Sequence, residues 1–163
     1  FAALLEMARI SIMVLFLVAG ATLFSYFLAL STIPTAVSTW IAGLGVSKYI
    51  ILVIIVAIYL LLGCFLDSVS MMVLTLPVIF PVIVAIGFDP IWFGVLLVLM
   101  MEAGLITPPV GLNIYTIAGI APDVPMGTIF RGAMPFLLSV IATAIILTIF
   151  PQIATYLPSL MGR

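Results

Sequence analysis

The sequence predicts an all-α integral membrane protein of about five to six membrane segments, and three observations lead there. Of the 163 residues, 67% are hydrophobic and 6% charged, whereas soluble domains are about 45–50% apolar and about 25% charged. Five long stretches (10–47, 49–66, 68–88, 103–122 and 132–162) carry no charge. About 20 apolar helical residues cross a hydrocarbon core roughly 30 Å thick. Prolines bound or interrupt these stretches at Pro34, Pro90, Pro108-Pro109 and Pro122. In lipid an uncharged run is read as helix, even where it is rich in Ile and Val, because a helix satisfies its own backbone hydrogen bonds.

The same figures remove whole classes of function. A soluble enzyme and a disordered chain both need polar residues this chain lacks. Four Lys and Arg and a net charge of −1 leave no basic surface for nucleic acid and no attraction to anionic lipid. The absence of His excludes His-ligated metal sites and Ser-His catalysis. Cys64 is the only cysteine, so no internal disulfide forms, and within Leu62-Gly63-Cys64-Phe65 it reads as a small buried filler. A first residue of Phe1, without a charged leader and cleavage site, predicts a piece of a longer protein. Arg9, Lys48, Arg131 and Arg163 are too few to set orientation by positive charge.

Taken in order, the first span runs from about Ile10 to Leu30. Ser31-Thr32-Ile33-Pro34-Thr35 ends it, and a shorter helix follows to about Gly43, made partial or interfacial by Ser38 and Thr39. The second span is Tyr49–Leu66. The third, about Ser70 to Ile86, holds Pro77 and Pro81, which a membrane helix tolerates when neighbours satisfy the freed carbonyls. Gly87-Phe88-Asp89-Pro90 is a turn. The fourth segment, Ile91–Ile120, would be about 45 Å long as one helix, too long for the core. Thr107-Pro108-Pro109-Val110-Gly111 breaks it, since two prolines lack N–H groups and Thr107 is pushed out of α geometry by the proline after it. The last span runs from about Ala133 to Phe150, after the loop Ala121–Pro125.

Three places carry chemistry. Non-helical backbone at membrane depth persists where it is buried or lines a polar cavity, and broken helices of this kind hold ions and substrates in secondary transporters. Thr107–Asn113 is such a stretch, with a proline kink used for packing as its alternative. Glu102, well past the Asp89 turn and shortly before the break, falls inside the bilayer, as a functional carboxylate or as a neutral one bonded to a neighbouring helix. Asp67, with Ser68 and Ser70, offers oxygen ligands to a hard cation. A helix from Lys48 travels about 27 Å in 18 residues, so Asp67 is either a solvated turn or the tip of a re-entrant hairpin held within protein. Both readings return Asp89 to the side of Lys48.

The ordered set Gly63-Cys64-Phe65-Leu66-Asp67, Leu76-Pro77, Gly87-Phe88-Asp89-Pro90, Glu102–Asn113 and Arg131-Gly132-Ala133-Met134-Pro135-Phe136 resembles the large membrane (permease) subunit of TRAP transporters, the tripartite ATP-independent periplasmic carriers of the dicarboxylate and sialic acid type. The resemblance covers essentially the whole chain. It implies an elevator-type secondary transporter of two inverted repeats, with residues 1–163 as the second, C-terminal repeat of a subunit more than twice as long.

In that family, and in the distantly similar divalent anion/sodium symporters, re-entrant hairpin tips meet unwound helices around Na⁺ and substrate. Carried over, Gly63, Asp67 and Ser68 would lie at a hairpin tip, with Thr107, Pro108, Val110 and Gly111 opposite as Na⁺ ligands. Glu102 and Asn113 would stand near the site. Further implications are a bacterial inner (plasma) membrane location and partnership with a small membrane subunit and a periplasmic substrate-binding protein. The activity implied is Na⁺-driven uptake of an organic acid such as a C4-dicarboxylate or sialic acid. No cofactor beyond the coupling ion is expected. The rivals are an intramembrane enzyme pairing Asp67 with Glu102, and a non-catalytic assembly subunit. The enzyme lacks a Gly-x-Gly-Asp-like setting for either acid and a His or Lys base beside Ser68.

Overall fold

The computed structural model describes residues 2–43 and 45–161; Arg163 lies outside them. Every regular element among these residues is an α-helix: α1 (Ala2–Ser31), α2 (Ile33–Gly43), α3 (Lys48–Gly63), α4 (Ser68–Ala85), α5 (Pro90–Ile106), α6 (Leu112–Ile120), α7 (Met126–Ile149) and α8 (Gln152–Met161). Three of them, α1, α4 and α7, are long and apolar enough to cross a membrane, while α3 and α5 are shorter apolar helices. The protein is an all-helical, multi-pass membrane protein.

Local sequence explains most boundaries. Asp89 caps α5, its Oδ1 accepting the N–H groups of Ile91 (2.8 Å) and Trp92 (3.0 Å), with Pro90 at the first helical position, where its missing N–H is harmless. Asp67 caps α4 in the same way through Ser70 N–H at 3.0 Å, so α4 starts two residues earlier than expected. Between α1 and α2, Thr32 takes a left-handed φ of +57°, an uncommon geometry for a β-branched residue, and its hydroxyl donates to Ser31 O at 2.7 Å. Ser38 is buried and donates to Thr35 O, which satisfies the polar side chain of α2 within its own helix.

Three further boundaries, and one whole helix, differ from the expectation. Helix α1 begins at Ala2 rather than Ile10, since Ala2–Arg9 contains only good helix formers; Glu6 and Arg9 are exposed on its first turns. Helix α3 stops at Gly63, not Leu66, and its 16 residues reach only about 24 Å. Helix α7 starts at Met126 rather than Ala133, because Pro125 opens it and nothing breaks it afterwards. Arg131 therefore stands on a helix and not in a loop. Helix α8, unforeseen, follows Pro151.

The packed centre is α3, α4, α5 and α7, around Trp92, Phe93, Leu96, Met100, Tyr59, Met71 and Ile83. Lipid tails are as apolar as these side chains, so helix association here rests on close packing and on interhelical hydrogen bonds. Two such bonds are buried or half-buried. Thr75 Oγ1 donates to Met71 O (2.8 Å), which leaves Tyr59 as the donor in its 2.6 Å bond to Thr75. Trp92 Nε1 donates to Leu147 O at 2.7 Å. That carbonyl would normally receive the N–H four residues on, and residue 151 is proline.

Helix α1 lies beside α4 with grooves between them: Leu17, Gly20 and Phe24 face Ser70, Val73 and Leu74, and Ser25, Leu28 and Ala29 face Pro77 and Pro81. The two helices thus run parallel. Most of the α1 surface is apolar and exposed, Phe16 at 82% and Leu30 at 85%, as a lipid-facing helix requires.

Trp92→Phe keeps the ring and removes the N–H, leaving the Leu147 carbonyl without a donor. The expected loss is about 1–3 kcal/mol, read as a lower unfolding midpoint of the complete protein in detergent. An unchanged midpoint would mean that another group satisfies that carbonyl.

Candidate functional site

The C-terminal ends of α3 and α5 touch through backbone alone. A Cβ built on Gly63 would lie 2.7 Å from Gly104 Cα, and one on Gly104 would lie 2.6 Å from Gly63 Cα. No side chain fits between them. One residue further, Cys64 is buried, and its one S–H is shared between Leu60 O (Sγ···O 3.2 Å) and Pro108 O (3.4 Å). The α3–α4 turn and the α5–α6 break are thereby side by side.

Each loop follows from its residues. After Gly63 the helix unwinds through Cys64 N–H to Leu61 O (3.3 Å) and Phe65 and Leu66 N–H to Leu62 O (2.9 Å each). Asp67 is extended. In the other loop Thr107 is extended, as the residue before a proline prefers, and its hydroxyl donates to Ala103 O at 2.6 Å. Gly111 opens α6 with φ +62°. A Cβ there would be strained by that φ and would meet Ile114 Cγ1 at 3.2 Å and the Leu105 and Ile106 oxygens at 3.4 Å.

Backbone electrostatics dominate the junction. Pro108 and Pro109 cannot donate to Gly104 O and Leu105 O as a continuous helix would. Gly104 O accepts Thr107 N–H at 3.1 Å instead. No backbone bond outside the helices among the described residues reaches the oxygens of Leu105, Ile106, Thr107, Pro109 or Val110. Two helix C-termini therefore turn partial negative charge towards the junction. Two N-termini, those of α4 and α6, bring N–H groups and partial positive charge to it. Such a junction can take a cation on its oxygens and an anion on its N–H groups. Among the described residues no three His, Cys, Asp or Glu side chains cluster, so any bound ion would rest on backbone and hydroxyl oxygens.

The expected site residues are distributed unevenly. Gly63 and Gly111 are buried, Ser68, Thr107 and Val110 half-buried, and Asp67, Pro108, Glu102 and Asn113 exposed. The Asp67 carboxylate is bonded to its own helix through the Ser70 N–H. Glu102 sits about 200° around α5 from Gly104, on the side away from α3. Asn113 lines a cavity of about 330 Å³ against Ile129, Gly132, Ala133 and Phe136 of α7. Cys64 and Gly104 make the junction, although Cys64 reads in sequence as filler and Gly104 carries no expected role. Only their pairing with Pro108 and Gly63, each far off along the chain, reveals them.

Depth can be read from the neighbours. Ile106 and Asn113, which flank the break, face Ile129, Gly132, Ala133 and Phe136, about 5–15 Å from the start of α7 and about 20–30 Å from its end. On the other flank Ser70 is level with Leu17 and Gly20, so α1 continues about 21 Å past the α3–α4 turn.

A family model described as "Tripartite ATP-independent periplasmic transporter, DctM component" matches residues 1–153. The chain is 35% identical over 159 residues to the C4-dicarboxylate TRAP transporter large permease protein DctM of Pseudomonas aeruginosa, covering 98% of this chain and 37% of that protein. It is 30% identical over 155 residues to the sialic acid TRAP transporter large permease protein SiaM of Vibrio cholerae, covering 95% and 36%. To the isethionate TRAP transporter permease protein DctMQ of Oleidesulfovibrio alaskensis it is 29% identical over 151 residues, covering 93% and 24%. The chain thus spans between about a quarter and little more than a third of the length of these relatives.

The Gly63–Gly104 contact predicts opposite signs for similar substitutions. Gly63→Ala and Gly104→Ala each force two backbones apart and should cost at least about 1–3 kcal/mol. Gly94→Ala, in the same α5 but with nothing within 4 Å of the new Cβ, should gain up to about 1 kcal/mol from helix propensity. Thermal unfolding of the complete protein in detergent checks all three. Equal midpoints for Gly104→Ala and Gly94→Ala would contradict the contact.

Proposed function

The chain belongs to the DctM component family of tripartite ATP-independent periplasmic transporters, and from that premise we propose that it is the C-terminal repeat of a large permease subunit that couples Na⁺ entry to uptake of an organic acid across the bacterial inner membrane. Its relatives are transporter permease proteins rather than enzymes, which removes the paired-acid hydrolase. The observation that carries the proposal is the meeting of two helix interruptions alongside longer apolar helices. The α5–α6 break stands abreast of the first half of α7, and α1 continues past the α3–α4 turn on its N-terminal side. Helix α3, at about 24 Å, is also too short to cross the core. These facts favour a re-entrant α3–α4 hairpin and a discontinuous α5–α6 helix, with Asp67 at a hairpin tip whose carboxylate is exposed within this chain.

At such a depth unpaired carbonyls cost several kcal/mol each unless a ligand satisfies them. Sodium, a hard cation, is the ligand for which oxygens of Thr107, Pro108 and Val110, the Gly63 end of α3, and Asp67 or Ser68 are suited; the Gly111 oxygen, expected with them, instead accepts the N–H groups of Ile114 (2.8 Å) and Tyr115 (3.1 Å) at the start of α6. With Na⁺ in place, the positive ends of α4 and α6 can accept a carboxylate or sulfonate without a dedicated arginine. Asn113 would act on the α7 side and Glu102 outside the first contacts. A periplasmic binding protein would deliver the substrate, and a small membrane subunit would brace the scaffold against which this repeat moves.

The test is uptake into proteoliposomes by the complete transporter, using a C4-dicarboxylate, sialic acid and isethionate as probes. Uptake of one of them should require an inward Na⁺ gradient. Asp67→Ala and Thr107→Val should each reduce the Na⁺-driven rate at least about tenfold while the protein stays folded. Full Na⁺-driven uptake by both variants would instead fit an assembly role for these loops.

A further inference from the structure

We propose that Cys64 is a positioning residue of the ion site, its thiol orienting the Pro108 carbonyl and tying the α3–α4 turn to the α5–α6 break; this rests on the sodium reading given above. A filler side chain needs no directed contact. The single S–H of Cys64 is shared between Leu60 O in the last turn of α3, at 3.2 Å, and Pro108 O in the other loop, at 3.4 Å. Its burial is nearly complete at 4% exposure.

The Gly63–Gly104 backbone contact excludes any side chain one residue earlier, so the thiol is where a side chain from α3 first meets the break. Among the described residues no hydrogen bond joins Asp67 or Ser68 to 107–111. The thiol is thus the polar tie between the loops.

The chemistry suits a carbonyl that must also serve a cation. A carbonyl oxygen has two lone pairs, and a thiol is a weak donor. Cys64 occupies one lone pair lightly and leaves the other free for a cation. A weak tie also suits contacts at 3.2 and 3.4 Å, which the long C–S bond reaches and a hydroxyl reaches only with a small shift. Cys64 touches no ion in this role and acts through Pro108.

The experiment titrates the complete transporter in detergent with NaCl against KCl at constant ionic strength and follows the unfolding midpoint. Sodium alone is the probe. In Cys64→Ala and in the near-isosteric Cys64→Val, the half-saturating Na⁺ concentration should rise about three- to tenfold. Cys64→Ser, which keeps a donor, should stay within about twofold of the parent. A packing role alone lowers every midpoint in KCl and leaves half-saturation unmoved, which would overturn the proposal. Equal shifts for Ala, Val and Ser would overturn it too. A parent protein whose midpoint ignores Na⁺ would overturn the sodium reading itself, an outcome separate from failure at Cys64.

Discussion

The contact between Gly63 and Gly104 is the constraint on which the rest of the arrangement depends. In lipid, helices gain nothing from hiding apolar surface, so close approach must come from small residues that let backbones touch. Here the touch is at the C-terminal ends of two short helices, where the chain is about to leave helical geometry in both. Bulky residues such as Tyr59, Leu96 and Met100 fill the centre further along. At the far end Phe88 stacks on Trp92, centroids 4.9 Å apart, and meets Tyr49 edge-on at 5.9 Å, with Lys48 over the Phe88 ring. The glycines place the two loops in register, and every polar feature of the junction follows from that placement.

Backbone carbonyl supply ties the fold to its use. Prolines free carbonyls wherever they interrupt a helix, and the protein treats these differently by position. The oxygen freed by Pro151 at Leu147 is taken by the Trp92 indole, and the pair becomes structural glue between α5 and α7. At Pro108 and Pro109 only Gly104 O finds a backbone replacement, from Thr107. The neighbouring oxygens stay open beside the N-termini of α4 and α6. The same local chemistry thus serves stability at one end of α5 and leaves binding capacity at the other.

The sequence shows the break itself plainly, because two successive prolines after a threonine allow no helix. It also shows the caps at Asp89 and the turn around Gly87, whose acids and glycines act on their own neighbours. It does not show where Asp67 sits. A solvated turn and a buried tip demand the same apolar run before it, and the difference lies in how far α1 extends past the turn. Cys64 and Gly104 were illegible for a related reason: their partners lie in another helix and another loop, and nothing local distinguishes a glycine in contact from Gly94 in open space. The start of α7 is not legible because Arg131 interrupts the apolar run, although a long cationic side chain on a helix can reach towards the interface.

Charge scarcity bears directly on mechanism. Lys48 lies about 22 Å from Gly63 along α3, engaged with Phe88 and Tyr49. Arg9 and Arg131 are exposed on α1 and α7. None of these described cations stands at the junction, whose only fixed positive ends are the N-termini of α4 and α6, worth about half a charge each. Asp67 at the cap of α4 cancels part of that. An organic anion entering the bare junction would face open carbonyls and a carboxylate, which repel it. A cation bound first on those oxygens reverses the local sign and converts the same groups into support for the anion. Among the described residues the junction offers an anion no cationic side chain, so on the sodium-coupled reading proposed above this repeat would hold the anion only after the ion.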